Sequence, residues 1–311
     1  MKGKDLLTIE QLSVQEVSLI LETASKLKQL QKNNQPHKFM DGKNLAMIFH
    51  KASTRTRVSF EAGFAQMGGH ALYLDNSSTQ MGRGEPIKDT ARVLSRYVDI
   101  IMIRTFAQKM VEELAFYASV PVINGLTDLS HPCQALADIM TVCENFQTVK
   151  HKKFVFIGDG NNVANSLMFA CAKIGMDIVV CSPKGYQPSD QIVSSAKKAA
   201  AETGSKISIE TDPLNAAKGA DVLYTDVWAS MGQESERQER IQFLHNYKID
   251  DDLLKISNKD CIVMHCLPAH RGEEITDEVM EGAHCKVFDE AENRLHVQKA
   301  IMFLLTTDKK I

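Results

Sequence analysis

Residues 53–57 read Ser-Thr-Arg-Thr-Arg, placing three hydroxyls and two guanidinium groups within five positions. The apolar run Leu45-Ala46-Met47-Ile48-Phe49 precedes them, and Val58, Phe60, Phe64 and Met67 follow at roughly helical spacing. The motif therefore sits where a strand turns into a helix, with Ser53 or Thr54 as the candidate N-cap. The free N–H groups of a first helical turn and the helix dipole favour an anion there, and Arg matches phosphate oxygens in bidentate fashion. A capped helix with solvated arginines is the other reading of such a run. The density of hydroxyls and arginines favours anion binding without identifying the anion.

Other polar clusters fall at similar positions. His131-Pro132-Cys133-Gln134 opens a helix, where an imidazole can donate to a carbonyl oxygen and a Gln amide can donate and accept. Arg104 ends the strand candidate Ile100-Ile101-Met102-Ile103, a costly place for a charge unless it meets an anion or solvent. Gln80-Met81-Gly82-Arg83-Gly84-Glu85 is a Gly-containing loop ahead of a helix. Residues 158–164, Gly-Asp-Gly-Asn-Asn-Val-Ala, partly mimic a dinucleotide fingerprint, but Val163 holds the third Gly position and no acidic residue ends the next strand. A pair of side-chain amides at a helix entry suits an amino-acid carboxylate at least as well. Asp226 begins a run through Trp228, Ser230, Met231 and Gly232, and its carboxylate could pair with a substrate ammonium. In His265-Cys266-Leu267-Pro268-Ala269-His270-Arg271, a thiol at a strand end near cations could have a lowered pKa. A zinc site built from these residues fits no standard ligand spacing. A Cys266 nucleophile with His265 as base is disfavoured because neighbours on a strand point to opposite faces.

The elements that must hold these groups alternate. Ser13 and Glu16 form a capping box ahead of a first helix. Strand candidates at 44–49, 70–74, 99–104 and 120–124 alternate with helices near 55–67, 87–97, 109–118 and 133–146. The basic stretch 148–153 marks a boundary. Strand candidates resume at 154–158, 177–182, 206–210, 221–227, 261–266 and 286–289, and a helical tail runs from 290 to 305. Repeated βα alternation predicts an α/β protein of two doubly wound domains with mostly parallel central sheets, whose ligands sit at the carboxyl ends of the strands.

The whole chain narrows the function class. Its 311 residues exceed the usual size of a single core. Its 44% apolar and 24% charged residues and net charge of −3 give no argument for binding nucleic acid or an acidic membrane surface. Seven cysteines without a C-x-x-C pair point to reduced thiols and a cytoplasmic location. No apolar run reaches membrane-spanning length, and the N-terminus lacks a signal-peptide core.

Taken together, the motifs resemble the aspartate/ornithine carbamoyltransferases. Ser-Thr-Arg-Thr-Arg with His131-Pro-x-Gln134 is similar to the donor half that the family shares. Asp226-x-x-x-Ser230-Met231-Gly232 and His265-Cys266-Leu267-Pro268 are similar to the ornithine branch, and the resemblance reaches the Glu290-Ala-Glu-Asn-Arg294 segment. It implies a carbamoyl-phosphate domain over 1–147, completed by the C-terminal helix 292–311 returning to it, and an ornithine domain over 148–291. It implies a homotrimer, or a multiple of trimers, and no metal or organic cofactor. Ser53, Thr54, Arg55 and Thr56 match the phosphate-binding turn, while Arg57 pairs with Glu61 as a structural alternative. Arg104 and His131 match the groups that polarise the carbamoyl carbonyl. Gln134 matches the holder of the carbamoyl amide, helped by backbone at Cys266 and Leu267. Gln80 matches a loop residue that reaches a neighbouring subunit's site. Asn162, Asp226, Ser230 and Met231 match the ornithine contacts, Cys266 the residue beside the side-chain amine, and Arg294 a further lining residue. Arg104, His131, Asp226 and Cys266 are the catalytic candidates. The stretch 80–85 is more like the biosynthetic enzymes than the catabolic ones.

Overall fold

The computed structural model describes residues 1–229 and 236–309. Ser230, Met231 and Gly232 therefore lie outside the described residues. The chain divides into two compact units, one formed by Met1–Ala137 with the segment from Glu292 onward, the other by Asp138–Ala291. The division falls inside one helix, α5 (Pro132–Asn145), ten residues before the boundary expected from the basic stretch.

The first unit is built on four parallel strands, β1 (Asn44–Phe49), β2 (His70–Asp75), β3 (Ile100–Arg104) and β4 (Val122–Leu126), in the order β2-β1-β3-β4. The central strands β1 and β3 are almost continuously buried, as their unbroken apolar runs require. In edge strand β2 only His70 and Leu72 are exposed, and the other four residues are half-buried. The capping box opens α1 (Val14–Lys32): Ser13 Oγ accepts from Glu16 N at 3.1 Å, and Ser13 N donates to Glu16 Oε2 at 3.0 Å. In α2 (Thr54–Gln66) Phe60 and Phe64 are buried, whereas Val58 is 55% exposed and lies off the packed face.

The second unit holds five parallel strands, β5 (Lys153–Ile157), β6 (Asp177–Cys181), β7 (Ile207–Glu210), β8 (Val222–Thr225) and β9 (Ile262–His265), in the order β7-β6-β5-β8-β9. Both sheets are entirely parallel.

The strand expected at 286–289 is not one. Cys285 makes only an isolated bridge to Val263, with Lys286 N donating to Val263 O at 2.8 Å, and the chain then enters α12 (Val287–Thr306). One residue of ladder is all that the apolar signal there supports.

Strand order explains where the polar motifs fall. In the first sheet the order reverses between β1 and β3; in the second, between β5 and β8. Loops diverge at such points and leave a crevice at the carboxyl ends of the strands. The Ser53 turn follows β1, and Arg104 is the last residue of β3. Residues 158–162 follow β5, and Asp226 follows β8.

Candidate active site

The first cluster grows from the β1–β3 register, in which Phe49 lies opposite Arg104. Ser53 caps α2, its Oγ accepting from Thr56 N at 3.2 Å, and this directs the first helical turn toward the strand ends. Thr56 is buried and gathers the cluster. Arg104 Nη1 donates to its Oγ1 at 3.5 Å, and Arg294 Nη2 donates to the same oxygen at 3.3 Å. Arg294 Nη1 donates to Gln134 Oε1 at 2.5 Å. Burial, followed by the charges of Arg294, Arg104 and Arg55, holds His131 well below the usual imidazole range. The imidazole is thus neutral, with three guanidinium groups near it. Such an arrangement suits an anion with a polarised oxygen: the cations meet charge, and the neutral ring is free of repulsion toward them.

Ser53, Arg55, Thr56, Arg104, His131, Gln134 and Arg294 are therefore brought together. Thr54 stands exposed at the first position of α2. Gln80 is exposed between two 3-10 turns, and no hydrogen bond among the described residues joins its side chain to the cluster. Arg57 turns outward, its Nε 3.3 Å from Glu61 Oε2 and its guanidinium 3.9 Å from the centre of the Tyr73 ring.

The second cluster is set by the parallel register of β5, β8 and β9. Thr225 lies opposite both Ile157 and His265, so the next residues, Asp226 and Cys266, emerge side by side. Cys266 Sγ donates to Asp226 Oδ1 at 2.9 Å. Asn161 Nδ2 donates to Asp226 Oδ2 at 2.7 Å, while Asn161 Oδ1 caps α6 (Asn162–Ile174) by accepting from Val163 and Ala164. Asn162, the expected ligand contact, is the first residue of that helix. Asn161, the other amide of the pair, is the one that holds Asp226.

Burial, followed by the Asp226 charge, pushes the Cys266 thiol well above its ordinary range. This corrects the expectation of a lowered pKa, because the charge beside the sulfur is negative. His265 is equally unsuited to be its base. Its Nδ1 accepts from Leu267 N at 2.8 Å and its Nε2 meets Glu274 Oε1 at 3.1 Å, so both nitrogens are engaged. Ligand atoms of Asp226, His265 and Cys266 do lie within 4.8 Å of one another. A metal there would have to displace one of the two bonds of the imidazole and the thiol proton.

The glycine turn also has a packing explanation. A Cβ at Gly160 would meet Pro188 N at 2.4 Å, so protein backbone occupies the approach that a dinucleotide pyrophosphate would need.

Residues 4–144 match the aspartate/ornithine carbamoyltransferase carbamoyl-P binding domain, and residues 150–305 match the Asp/Orn binding domain of the same family. The chain belongs to the aspartate/ornithine carbamoyltransferase family. It is similar to the ornithine carbamoyltransferase of Pyrococcus abyssi, with 56% identity over 98% of this chain and 96% of that one. An anabolic ornithine carbamoyltransferase of Pyrococcus furiosus is 55% identical over 97% and 96% of the two chains. The solved structure of the Pyrococcus furiosus ornithine carbamoyltransferase matches with a TM-score of 0.96 at 54% identity, covering 99% of each chain.

The protein is thus a carbamoyltransferase with two parallel-sheet α/β units. In this carbamoyltransferase, Arg240 is a further buried group that the sequence reading missed. Its Nη1 donates to Asp159 Oδ2 at 2.7 Å and to Trp228 O at 3.3 Å, and its Nε donates to Glu236 Oε2 at 3.0 Å. It lies in α9 (Arg237–Leu244), a mixed-charge helix whose pattern gives no sign of a buried arginine. Among the described residues, no helix is long and apolar enough to cross a membrane.

Proposed function

We propose that this carbamoyltransferase transfers the carbamoyl group of carbamoyl phosphate to the δ-amine of L-ornithine, giving L-citrulline and phosphate. The observation that carries the acceptor assignment is the Cys266–Asp226 hydrogen bond. It presents a carboxylate beside a neutral thiol, one negative charge suited to a side-chain ammonium, at the strand end that bears the ornithine-branch motif. Relatives named ornithine carbamoyltransferase at 52–56% identity support the same reading.

In this proposal Ser53, Thr54, Arg55 and Thr56 bind the phosphate of the donor. Arg104, His131 and Thr56 donate to the carbonyl oxygen, and Gln134, with backbone at Cys266 and Leu267, holds the carbamoyl amide. Arg294 braces Gln134 and Thr56. The neutral amine attacks the carbamoyl carbon, the carbonyl oxygen gains negative charge, and the C–O bond to phosphate breaks as the carbonyl re-forms. Each lost donor to that oxygen costs about 3–4 kcal/mol of transition-state stabilisation. Arg55 and the α2 N-terminus favour the charge that gathers on the leaving phosphate. Asp226 orients the amine, and the proton it sheds passes to Asp226 or to phosphate. Cys266 serves as a hydrogen-bonding neighbour, since its raised pKa removes it as a base. Asn162, Ser230 and Met231 complete the ornithine contacts, and Gln80 acts from a neighbouring copy.

We further propose a homotrimeric assembly, a cytoplasmic location and a role in arginine biosynthesis. The exposed edge strand β2, with Leu72 39% exposed, supports burial against another copy. The seven cysteines, all free thiols, suit a reducing compartment. The anabolic Pyrococcus furiosus relative supports the biosynthetic direction.

Citrulline formation from carbamoyl phosphate, assayed in parallel with ornithine, putrescine and N-acetylornithine, tests the proposal. Ornithine should be preferred. Faster turnover of either other amine, or no citrulline from folded protein, would end the assignment.

A further inference from the structure

Within the second unit, two carboxyl groups are buried together. Asp138 and Glu290 are both 0% exposed, and their side chains hydrogen-bond to each other. Two carboxylates have no proton to donate, so this bond requires that one of the pair carry one. Glu290 is also the meeting point of two strands. Its Oε2 accepts from His265 N at 2.9 Å, at the end of β9, and its Oε1 meets the hydroxyl of Tyr224, on β8, at 3.3 Å. The Tyr224 ring is fully buried, with centroids 5.7 Å from Phe154 and 5.8 Å from Phe156, so the hydroxyl is a fixed partner. The His265 ring is held separately by Glu274 and by Leu267 N. Backbone and side chain of the residue just before Cys266 are therefore both pinned.

We propose that Glu290 and Asp138, joined by one shared proton, are positioning residues for the acceptor half: they fix the backbone at His265 and so place Cys266 against Asp226. The proposal rests on the assignment of Cys266 and Asp226 to the amine substrate. Neither carboxyl touches that substrate. Burial, followed by the charge of Asp138, pushes the Glu290 carboxyl well above the usual carboxylate range, so the pair keeps one proton between them. Ionisable groups near it include Asp138 on α5, Tyr224 on β8, His265 at the end of β9 and Cys266 just beyond it, and the charge of Asp138 opposes a second negative charge at Glu290.

Three variants and one spectrum test this. Glu290→Gln keeps a donor toward Asp138 and an acceptor for His265 N. It should hold both KM values and kcat within about threefold of the parent. Glu290→Leu loses both bonds. It should raise the ornithine KM by about tenfold or more while the carbamoyl phosphate KM stays within about threefold. An ornithine KM unchanged in folded Glu290→Leu would overturn the positioning role, and so would equal damage in Glu290→Gln. Infrared spectra of the parent should show a protonated-carboxyl C=O band at neutral pH that disappears in Glu290→Gln and shifts in Asp138→Asn. Absence of that band would overturn the shared proton. The spectrum needs neither substrate nor a foldable Leu variant. A failure of the pair is thereby separable from a failure of the ornithine assignment, which would appear as absent citrulline in the parent itself.

Discussion

The Cys266 thiol donates to Asp226 Oδ1 over 2.9 Å, so sulfur supplies the proton and the carboxylate receives it. Burial raises the thiol pKa, and the Asp226 charge raises it further. Cys266 should resist alkylation by iodoacetamide at pH 7–8, where a free thiol already has a reactive thiolate fraction. Cys133, at about 12, should resist likewise. Exchange of Cys266 for Ser keeps a donor to Asp226 but alters its size and polarisability, so the ornithine KM should rise about tenfold with a smaller fall in kcat. Rapid alkylation of the parent at neutral pH, followed by peptide mapping to Cys266, would contradict the protonated thiol.

Arg55 and Arg57 share one motif but face different surroundings. Arg55 is close enough to His131 for its charge to depress that imidazole, whereas Arg57 stacks over Tyr73 and pairs with Glu61. Arg55→Ala should lower kcat/KM for carbamoyl phosphate by about 100-fold or more. Arg57→Ala should leave that parameter nearly unchanged and cost under about 1 kcal/mol of stability, since the ion pair is half-exposed. Equal kinetic losses in the two variants would place Arg57 at the ligand.

His131 is buried among guanidinium groups and therefore neutral near pH 7. Activity should show no ionisation of His131 near its ordinary value of 6.5. His131→Asn should lower kcat by about 100- to 1,000-fold without changing the shape of the pH profile between pH 6 and 8. The stability effect has a definite sign. The folded-state pKa is depressed, so below 6.5 the unfolded chain binds more protons. The contribution of His131 is fully present above that value and is lost as pH falls through it toward the folded pKa. Urea midpoints of parent and variant should diverge less at pH 5 than at pH 7.

The sheets were legible because parallel strands buried on both faces produce long apolar runs, as in β1, β3 and β5. The site was legible where charge interrupts such a run, as at Arg104, or where hydroxyls and arginines crowd a helix start, as at Ser53. What stayed hidden depends on partners distant in sequence. Asn161 and Asn162 are chemically alike as neighbours, and only the turn after β5 decides which amide reaches Asp226. The sign of the Cys266 shift required knowing that the thiol is buried and that the adjacent charge is Asp226. Asp138 and Glu290 lie on two different helices, α5 and α12. Their pairing is set by residues 152 positions apart, a separation that periodicity does not report. The apolar residues near 286–289 failed as a strand for the complementary reason: one bridge to β9 precedes the helix, too little for a ladder.

Arg240 carries the last prediction. Its guanidinium spans Asp159 after β5, the carbonyl of Trp228, and Glu236, with its own side chain only 11% exposed. Removing one partner of a buried pair leaves the other charge without compensation, so Arg240→Ala should cost about 3–5 kcal/mol. Asp159 already has its carboxyl raised by burial, with Arg240 the largest opposing influence. Without Arg240 the folded-state pKa of Asp159 rises further above its unfolded value. That group then favours folding in its protonated form, so its stabilising contribution is present at low pH and is lost as pH rises through the folded pKa. The penalty of Arg240→Ala should accordingly be smaller at pH 5 than at pH 8, the same direction as for His131→Asn, but arising from titration in the variant rather than in the parent. Adding Asp159→Asn to Arg240→Ala should recover much of the loss at pH 8, because the charge that required Arg240 is gone. A pH-independent penalty in urea unfolding, or no recovery in the double variant, would show that Arg240 stabilises through Trp228 and Glu236 rather than through Asp159.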